Sequence, residues 1–136
     1  MIKNIVRDIN FLSQISTDLT KDDLYIIKDL KDTININSYR CVSMAANMIG
    51  YLKRCLIFLD GNEYKIMINP VILSKNIEYK AMEGCLSLDG EREVLRYKKI
   101  KVQYLDENFK IKIKTYTDYQ AQIIQHEIDH FDGIII

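Results

Sequence analysis

Two histidines lie four residues apart near the end of the 136-residue chain, in the stretch QHEIDHFDG. On a helix, His126 and His130 of this HExxH pattern lie on one face, close enough to bind a single metal ion. Glu127, next to His126, would then reach a water on that ion without being a ligand. The alternative is two unrelated surface or core histidines. The chain has no other histidine and both fall inside the pattern, so a metal site is favoured.

Two histidines do not complete a metal site, so a third ligand is needed. Only FDGIII follows the second histidine, and Asp132 is too near in sequence to fold back, so the ligand must come from upstream. The three cysteines are the best soft donors, and MEGCLSLDG favours Cys85, because the glycine before it lets the backbone approach closely. Cys41 and Cys55 are interpreted as small buried apolar residues. A thiolate, two imidazoles and a water make the open tetrahedral site that is typical of catalytic metal ions.

Helical periodicity near both ends of the chain predicts the elements that hold these residues. Thr20 and Asp23 resemble a capping box, and the apolar spacing after them predicts an amphipathic helix over about residues 21–35. The helical pattern returns in the HExxH segment, with Asp118 as N-cap and Gly133 at the position of a C-cap. This second helix is predicted to bury a stripe of Ala121, Ile124, Ile128 and Phe131.

Between the helices the sequence alternates as strands do. CLIFLD and YKIMINP flank a turn signal at residues 60–62, which predicts a β-hairpin. IKVQYLD places its apolar residues Ile100, Val102 and Tyr104 on one face. FKIKIKTY predicts a half-exposed strand whose lysines face solvent. Helix, strands and helix in this order predict an α+β fold, with residues 1–136 as one domain.

The composition argues against several classes of partner. Nineteen basic residues balance nineteen acidic ones, so the net charge is zero. No strong electrostatic field therefore favours a nucleic acid or an anionic membrane as partner. No apolar run approaches the ~18 residues of a membrane span, and the first residues lack the apolar core of a signal peptide. The three cysteines, Cys41, Cys55 and Cys85, are an odd number and do not form a disulfide framework. The expected compartment is a reducing cytoplasm.

EGCLS, followed further along by QHEIDH, resembles peptide deformylase, the metallohydrolase that removes the formyl group from the initiator methionine of new bacterial proteins. MIKNIVRDIN resembles the opening segment of the family without its usual proline, MAANMIG the first family motif, and INP a family tripeptide. The resemblance implies antiparallel β-sheets packed around the HExxH helix. It also implies one divalent ion, natively Fe²⁺ and replaceable by Ni²⁺ or Zn²⁺, bound by Cys85, His126 and His130.

The resemblance also implies roles for further residues. Glu127 would pass a proton from the attacking water to the departing amine, and the backbone N–H of Leu86 would donate to the oxyanion. Glu83 and Arg96 would form an ion pair that supports the cysteine loop, the alternative being two unrelated surface charges. The residues expected to contact the substrate are Val42, Ser43, Met44 and Ile123. The implied partners are N-formylmethionyl peptides, including nascent chains at the ribosome.

The first motif departs from the family pattern of Gly, apolar, Gly, apolar, Ala, Ala, any residue, Gln. Cys41 and Ser43 replace the two glycines, and Met48 replaces the glutamine that donates to the oxyanion in the family. A thioether cannot donate a hydrogen bond. Ser43 is expected to crowd the substrate peptide, because it adds a side chain where the family backbone runs close to it.

Two main hypotheses follow from this departure. In the first the protein is a working deformylase, slowed by Met48; in the second it is a catalytically silent relative that binds metal in a regulatory role. The presence of Glu127 favours the enzyme, since a metal-binding module would not require it. The loss of one oxyanion donor costs about 10²–10³ in rate rather than all activity. A protease that cuts internal peptide bonds fits less well, because a cysteine ligand upstream of the HExxH pattern does not match that class.

Overall fold

The computed structural model describes residues 1–135, whose strands form an antiparallel sheet. In these residues the sheet has five strands, ordered along it as in the sequence: β1 (Ser43–Ala45), β2 (Cys55–Asp60), β3 (Glu63–Cys85), β4 (Leu88–Leu105) and β5 (Ile111–Thr117). The predicted hairpin is confirmed, since Asp60 pairs with Glu63 across a turn at residues 61–62. β3 and β4 form a second, longer hairpin, whose turn is Leu86–Ser87.

Helices precede and follow the sheet, and the predicted α+β fold is confirmed. Within residues 1–135 the helices are α1 (Ile9–Leu12), α2 (Leu24–Ile36) and α3 (Asp118–Phe131), with 3₁₀ turns at Lys21–Asp23 and Ala46–Ile49. The capping box before α2 is present, because Asp23 Oδ2 accepts a hydrogen bond from the backbone N–H of Thr20 at 2.9 Å. No helix in this part of the chain is long and apolar enough to cross a membrane. That residues 1–136 form one domain stays a prediction.

The helix that carries the HExxH pattern is tightly fixed at its C-terminal end. Its N-cap is Thr117 rather than the predicted Asp118, which lies in the first turn of α3. Gly133 follows α3 with φ +73, as its predicted capping position requires. A Cβ at Gly133 would lie 2.2 Å from the carbonyl oxygen of Ser13, so the close approach of the N-terminal segment requires glycine. The N–H of Ser16 also donates to the carbonyl of Phe131 at 2.8 Å.

The core lies between α2, α3 and one face of the sheet. The predicted stripe of α3 is buried, and so are Ile100, Val102 and Tyr104 of β4. Burying a side chain such as Ile or Phe contributes about 1.5–3 kcal/mol. This packing fixes the one face of α3 from which both histidines project.

The burial predicted for the strand FKIKIKTY is wrong in part. β5 forms there and its lysines are exposed, as predicted, but Ile111 and Ile113 are 68% and 51% exposed. β5 is an edge strand, and Ile113 pairs with the exposed Gln103 on the face of the sheet turned away from the helices. Among the apolar residues of β5, Tyr116 reaches the core, where it pairs with Ile100.

Candidate metal and catalytic centre

Cys85, His126 and His130 converge, as the sequence predicts. Their donor atoms all lie within 4.8 Å of one another. Cys85 Sγ is 3.5 Å from His130 Nε2, and His130 Nε2 is 3.1 Å from His126 Nε2. One thiolate and two imidazoles form a donor set that accepts Fe²⁺, Ni²⁺ or Zn²⁺.

The three cysteines have different environments. Cys55 is fully buried in β2, as its interpretation as a small apolar residue predicts. Cys41 is only half-buried and borders the cavity beside the cluster, so that interpretation is wrong for Cys41. Burial raises the pKa of the Cys41 thiol to about 12, and its Sγ donates to the carbonyl of Ser43 at 2.8 Å. Cys41 is therefore a neutral thiol and lies outside the cluster.

The turn between β3 and β4 places Cys85. The cysteine pairs with Leu88 across the turn. A Cβ at the preceding Gly84 would lie 3.2 Å from the carbonyl oxygen of Gly90, so the two strands approach closely there, as predicted for this glycine. The Arg7 guanidinium crosses from the N-terminal segment and donates to the carbonyl of Leu86 at 2.9 Å. Sequence reasoning does not reveal this contact, because Arg7 lies 79 residues away along the chain.

A buried ion-pair network orients His126. The predicted pair of Glu83 and Arg96 is present, with Arg96 Nε and Nη2 donating to the two oxygens of Glu83 at 2.9 and 2.7 Å. His126 Nδ1 bonds to Glu83 Oε1 at 2.8 Å, which directs Nε2 toward the cluster. Burial opposes ionisation of Glu83, but the hydrogen bonds from His126 and Arg96 outweigh it and lower the pKa of Glu83 to about 2. Glu83 therefore stays a carboxylate.

Two members of this network were not singled out from the sequence. Asp129 Oδ2 accepts from Arg96 at 2.7 Å, and Gln122 Nε2 donates to Glu83 at 3.0 Å. The sequence contains a signal for both, namely helical spacing from a metal ligand. Asp129 lies three residues after His126 and Gln122 four residues before it, so all three lie on the same helix face. The partner across the fold, however, is not visible in the sequence.

The two imidazoles have opposite protonation tendencies. Burial lowers the pKa of His130, and the neighbouring charge of His126 lowers it further, to about 3. Burial also lowers the pKa of His126, but hydrogen bonding to Cys85 and Glu83 outweighs it and raises that pKa to about 10. A divalent ion would therefore displace the proton of His126. Such displacement is usual when a thiolate–imidazole set binds a metal.

Glu127 lies beside the cluster in a buried position. It is 2% exposed, and burial raises its pKa. Its Oε2 accepts a hydrogen bond from Ser43 Oγ at 2.5 Å. Its Oε1 has no hydrogen-bond partner among residues 1–135 and lies 3.9 Å from His130 Nε2. An unpartnered acceptor facing the ligand atoms fits a site that holds an ion and a water.

A cavity of about 360 Å³ opens onto the cluster, a size that is typical of a small-ligand site. The predicted residues Val42, Ser43, Leu86 and Ile123 border it. The lining residues that were not predicted are Arg40, Cys41, Met82, Tyr119 and Gln122.

Met44 and Met48 do not line this cavity. Met44 follows Ser43 along β1, and successive strand residues point to opposite faces, so its side chain is fully buried in the core. The prediction that Met44 contacts the substrate is therefore wrong. Met48 is 1% exposed, and its Sδ accepts from the backbone N–H of Ala45 at 3.4 Å. The position that the family pattern gives to glutamine thus holds a buried thioether.

The chain is similar to known proteins along its whole length. The Polypeptide deformylase family matches residues 2–136. A peptide deformylase of Clostridium beijerinckii is 54% identical over 136 residues, which cover 100% of both chains. A class I type b peptide deformylase from Acinetobacter baumannii has a TM-score of 0.89 at 25% identity, covering 99% of this chain and 96% of that one. The peptide deformylase from Thermotoga maritima has a TM-score of 0.88 at 28% identity, covering 99% and 95%.

Proposed function

Because the chain belongs to the polypeptide deformylase family, we propose that Cys85, His126 and His130 hold one divalent ion at which N-formylmethionyl peptides are hydrolysed. The prediction of a peptide deformylase is confirmed, and the comparisons do not support the alternative of a silent regulatory relative. The observation that carries the proposed site is the convergence of three ligand atoms beside a buried carboxylate.

The donor set decides what the ion contributes. Cys85 supplies sulfur and the two histidines supply neutral nitrogen once a metal has replaced the proton of His126. When bound, the ion would act as a Lewis acid and lower the pKa of the water molecule that it binds. Fe²⁺ is the proposed native ion, and Ni²⁺ or Zn²⁺ would occupy the same ligands, because one sulfur and two nitrogens suit all three.

Glu127 is the proposed proton carrier. Its Oε1 has no partner among residues 1–135 and faces the ligand atoms, where it takes a proton from the attacking water. The same oxygen then gives the proton to the amine nitrogen that leaves when the formyl C–N bond breaks. Burial raises the pKa of Glu127, which favours its holding the proton between the two transfers.

The remaining predicted residues are proposed to orient the substrate. Leu86 lies in the turn next to Cys85, where its backbone N–H would donate to the oxyanion. Val42 and Ile123 border the cavity and would contact the formylated methionine or the residues after it, whereas Ser43 borders it with its hydroxyl directed to Glu127. We place the reaction in the cytoplasm, on nascent chains at the ribosome, without direct contact to nucleic acid or membrane.

A deformylation assay with one variant tests the proposal. Protein purified anaerobically with Fe²⁺ is expected to release formate from formyl-Met-Ala-Ser. Glu127→Ala should keep its metal and lose about 10²–10⁴-fold in kcat, because it removes the proton carrier and leaves the ligands intact. Glu63→Ala, which removes an exposed glutamate at the β2–β3 turn, is the matched control and should behave as the wild type.

Two outcomes would contradict the proposal in different ways. An Fe²⁺-loaded wild type without deformylase activity would refute the proposed function. A Glu127→Ala protein that purifies without metal would show that Glu127 is a ligand and not a proton carrier.

A further inference from the structure

Ser43 makes a contact that its place in the sequence does not suggest. Its hydroxyl donates to Glu127 Oε2 at 2.5 Å, although the two residues are 84 positions apart. Glu127 is almost fully buried, and its Oε1 has no hydrogen-bond partner among residues 1–135. This serine therefore holds one oxygen of the carboxylate and leaves the other toward the ligand atoms.

We propose that Ser43 is a positioning residue for Glu127, and that it fixes which carboxylate oxygen carries the proton. The inference rests on the proposed function, because it takes Glu127 as the proton carrier. Among residues 1–135 the Ser43 hydroxyl donates to Glu127 and forms no hydrogen bond with Cys85, His126 or His130. Its effect on the reaction passes through the geometry of the glutamate.

The serine is well placed to act as an anchor. It begins β1 and pairs with Phe58 of β2, so its hydroxyl projects from the sheet and not from a loose loop. The Ser43 carbonyl also accepts from Cys41 Sγ at 2.8 Å. A glutamate side chain has several rotatable bonds, so its carboxylate is mobile unless a contact holds it. A hydrogen bond from a neutral donor to a carboxylate is stronger than one between two neutral groups. A rigid donor on one oxygen thus restricts the carboxylate.

The contact reverses the effect expected of Ser43 from the sequence. Crowding of the substrate by the serine predicts that its removal lowers KM. In the structure the hydroxyl is directed to Glu127, so its removal takes away an anchor. Removal is therefore expected to lower kcat and to leave KM nearly unchanged.

Kinetics of Ser43 variants of the Fe²⁺-loaded protein with formyl-Met-Ala-Ser test the inference. Ser43→Ala should lower kcat about 10-fold, a part of the 10²–10⁴ that general acid–base catalysis supplies, with KM within about twofold. Ser43→Thr keeps the hydroxyl and should recover most of kcat. Ser74→Ala, the same change at an exposed position of β3, is the matched control. Metal content and Tm should be equal in all four proteins.

A double-mutant cycle separates positioning from any other role. In the Glu127→Ala background, Ser43→Ala should change the residual rate by less than about twofold, because the group that it positions is gone. The same 10-fold loss in both backgrounds would overturn the inference. So would an active wild type beside a Ser43→Ala variant with unchanged kcat. An inactive wild type would overturn the proposed function together with the inference. The activity of the wild type therefore distinguishes failure of the proposed function from failure of the inference alone.

Discussion

The two walls of the cavity are held in place by different means. The ligand wall consists of Glu83, Cys85 and His126, with His130 and Arg96 behind them. Charged hydrogen bonds of 2.7 to 2.9 Å run through that network and fix the direction of His126. The strand wall is residues 41–43 of the chain, which present a thiol, an apolar side chain and one hydroxyl. Met48 of the same motif is buried and does not line the cavity.

The difference shows what each wall must satisfy. Metal coordination needs donor atoms of a given type at a given place, and their orientation is set by the groups bonded behind them. The strand wall needs a shape and a few hydrogen-bond donors, which different side chains can supply. Thus the chain follows the family pattern on the ligand wall and departs from it on the strand wall, where Ser43 nevertheless bonds to Glu127. We expect substitutions to have larger effects on the ligand wall.

The largest effect is expected for Cys85→Ser. It replaces the sulfur ligand by a hydroxyl, which is a much weaker ligand for these metals, so bound metal and deformylase activity should both be lost. Cys41→Ser and Cys55→Ser are matched controls, because neither thiol lies in the cluster. Metal content measured after purification with Fe²⁺ or Zn²⁺ tests the prediction. Equal metal content in the three variants would remove Cys85 from the ligand wall.

An intermediate effect is expected for Arg96→Leu, which removes the cation behind the ligand wall. Glu83 would remain buried with His126 and Gln122 but without its counter-ion. Breaking a buried ion pair costs about 3–5 kcal/mol, so the free energy of unfolding should fall by about that amount. Metal affinity should fall about 10–100-fold, because the group that orients His126 is loosened.

Urea unfolding and a chelator competition for Zn²⁺ measure the two quantities for Arg96→Leu. Lys99→Leu, which removes an exposed cation on the same strand, is the control and should leave both nearly unchanged. If Arg96→Leu lowers stability but not metal affinity, the network stabilises the fold without orienting the ligand.

The parts of the site that could be predicted are those specified by residue type and local spacing. The chain has just two histidines, and helical spacing alone places both on one face of α3. The capping pattern before α2 is equally local. By contrast, Asp129 and Arg96 meet across 33 residues, and Ser43 and Glu127 across 84. Long-range contacts of this kind depend on the sheet register, which the sequence does not give.

The errors in the fold have a common physical origin. Alternation in FKIKIKTY predicts a strand, but burial also depends on what covers each face, and Ile111 and Ile113 lie on the uncovered face of an edge strand. In β1, successive side chains point to opposite faces of the strand. Because Ser43 faces the cavity, Met44 points into the core. α1 has four residues, too few for a period of 3.6 to be recognised.

The smallest effect is expected for Met48→Gln, in the buried 3₁₀ turn that follows the strand wall. Glutamine has a similar length, and its Oε1 could replace the sulfur as acceptor of the Ala45 N–H. An amide NH₂ that reached the oxyanion would be worth at most about 10²–10³ in kcat, but the side chain at position 48 is buried and does not line the cavity. Because nothing on the strand wall is arranged to hold this NH₂, we expect a gain in kcat of less than about 10-fold.

The control for Met48→Gln is Met67→Gln, at a fully buried methionine that does not line the cavity. Each variant buries an amide and should lose about 1–3 kcal/mol in the free energy of unfolding. Steady-state kinetics with formyl-Met-Ala-Ser and urea unfolding measure both effects. A gain in kcat for Met48→Gln alone would show that the strand wall lacks a donor. If kcat stays flat in both variants with normal metal content, another group already supplies that donor, and the strand wall is as complete as the ligand wall.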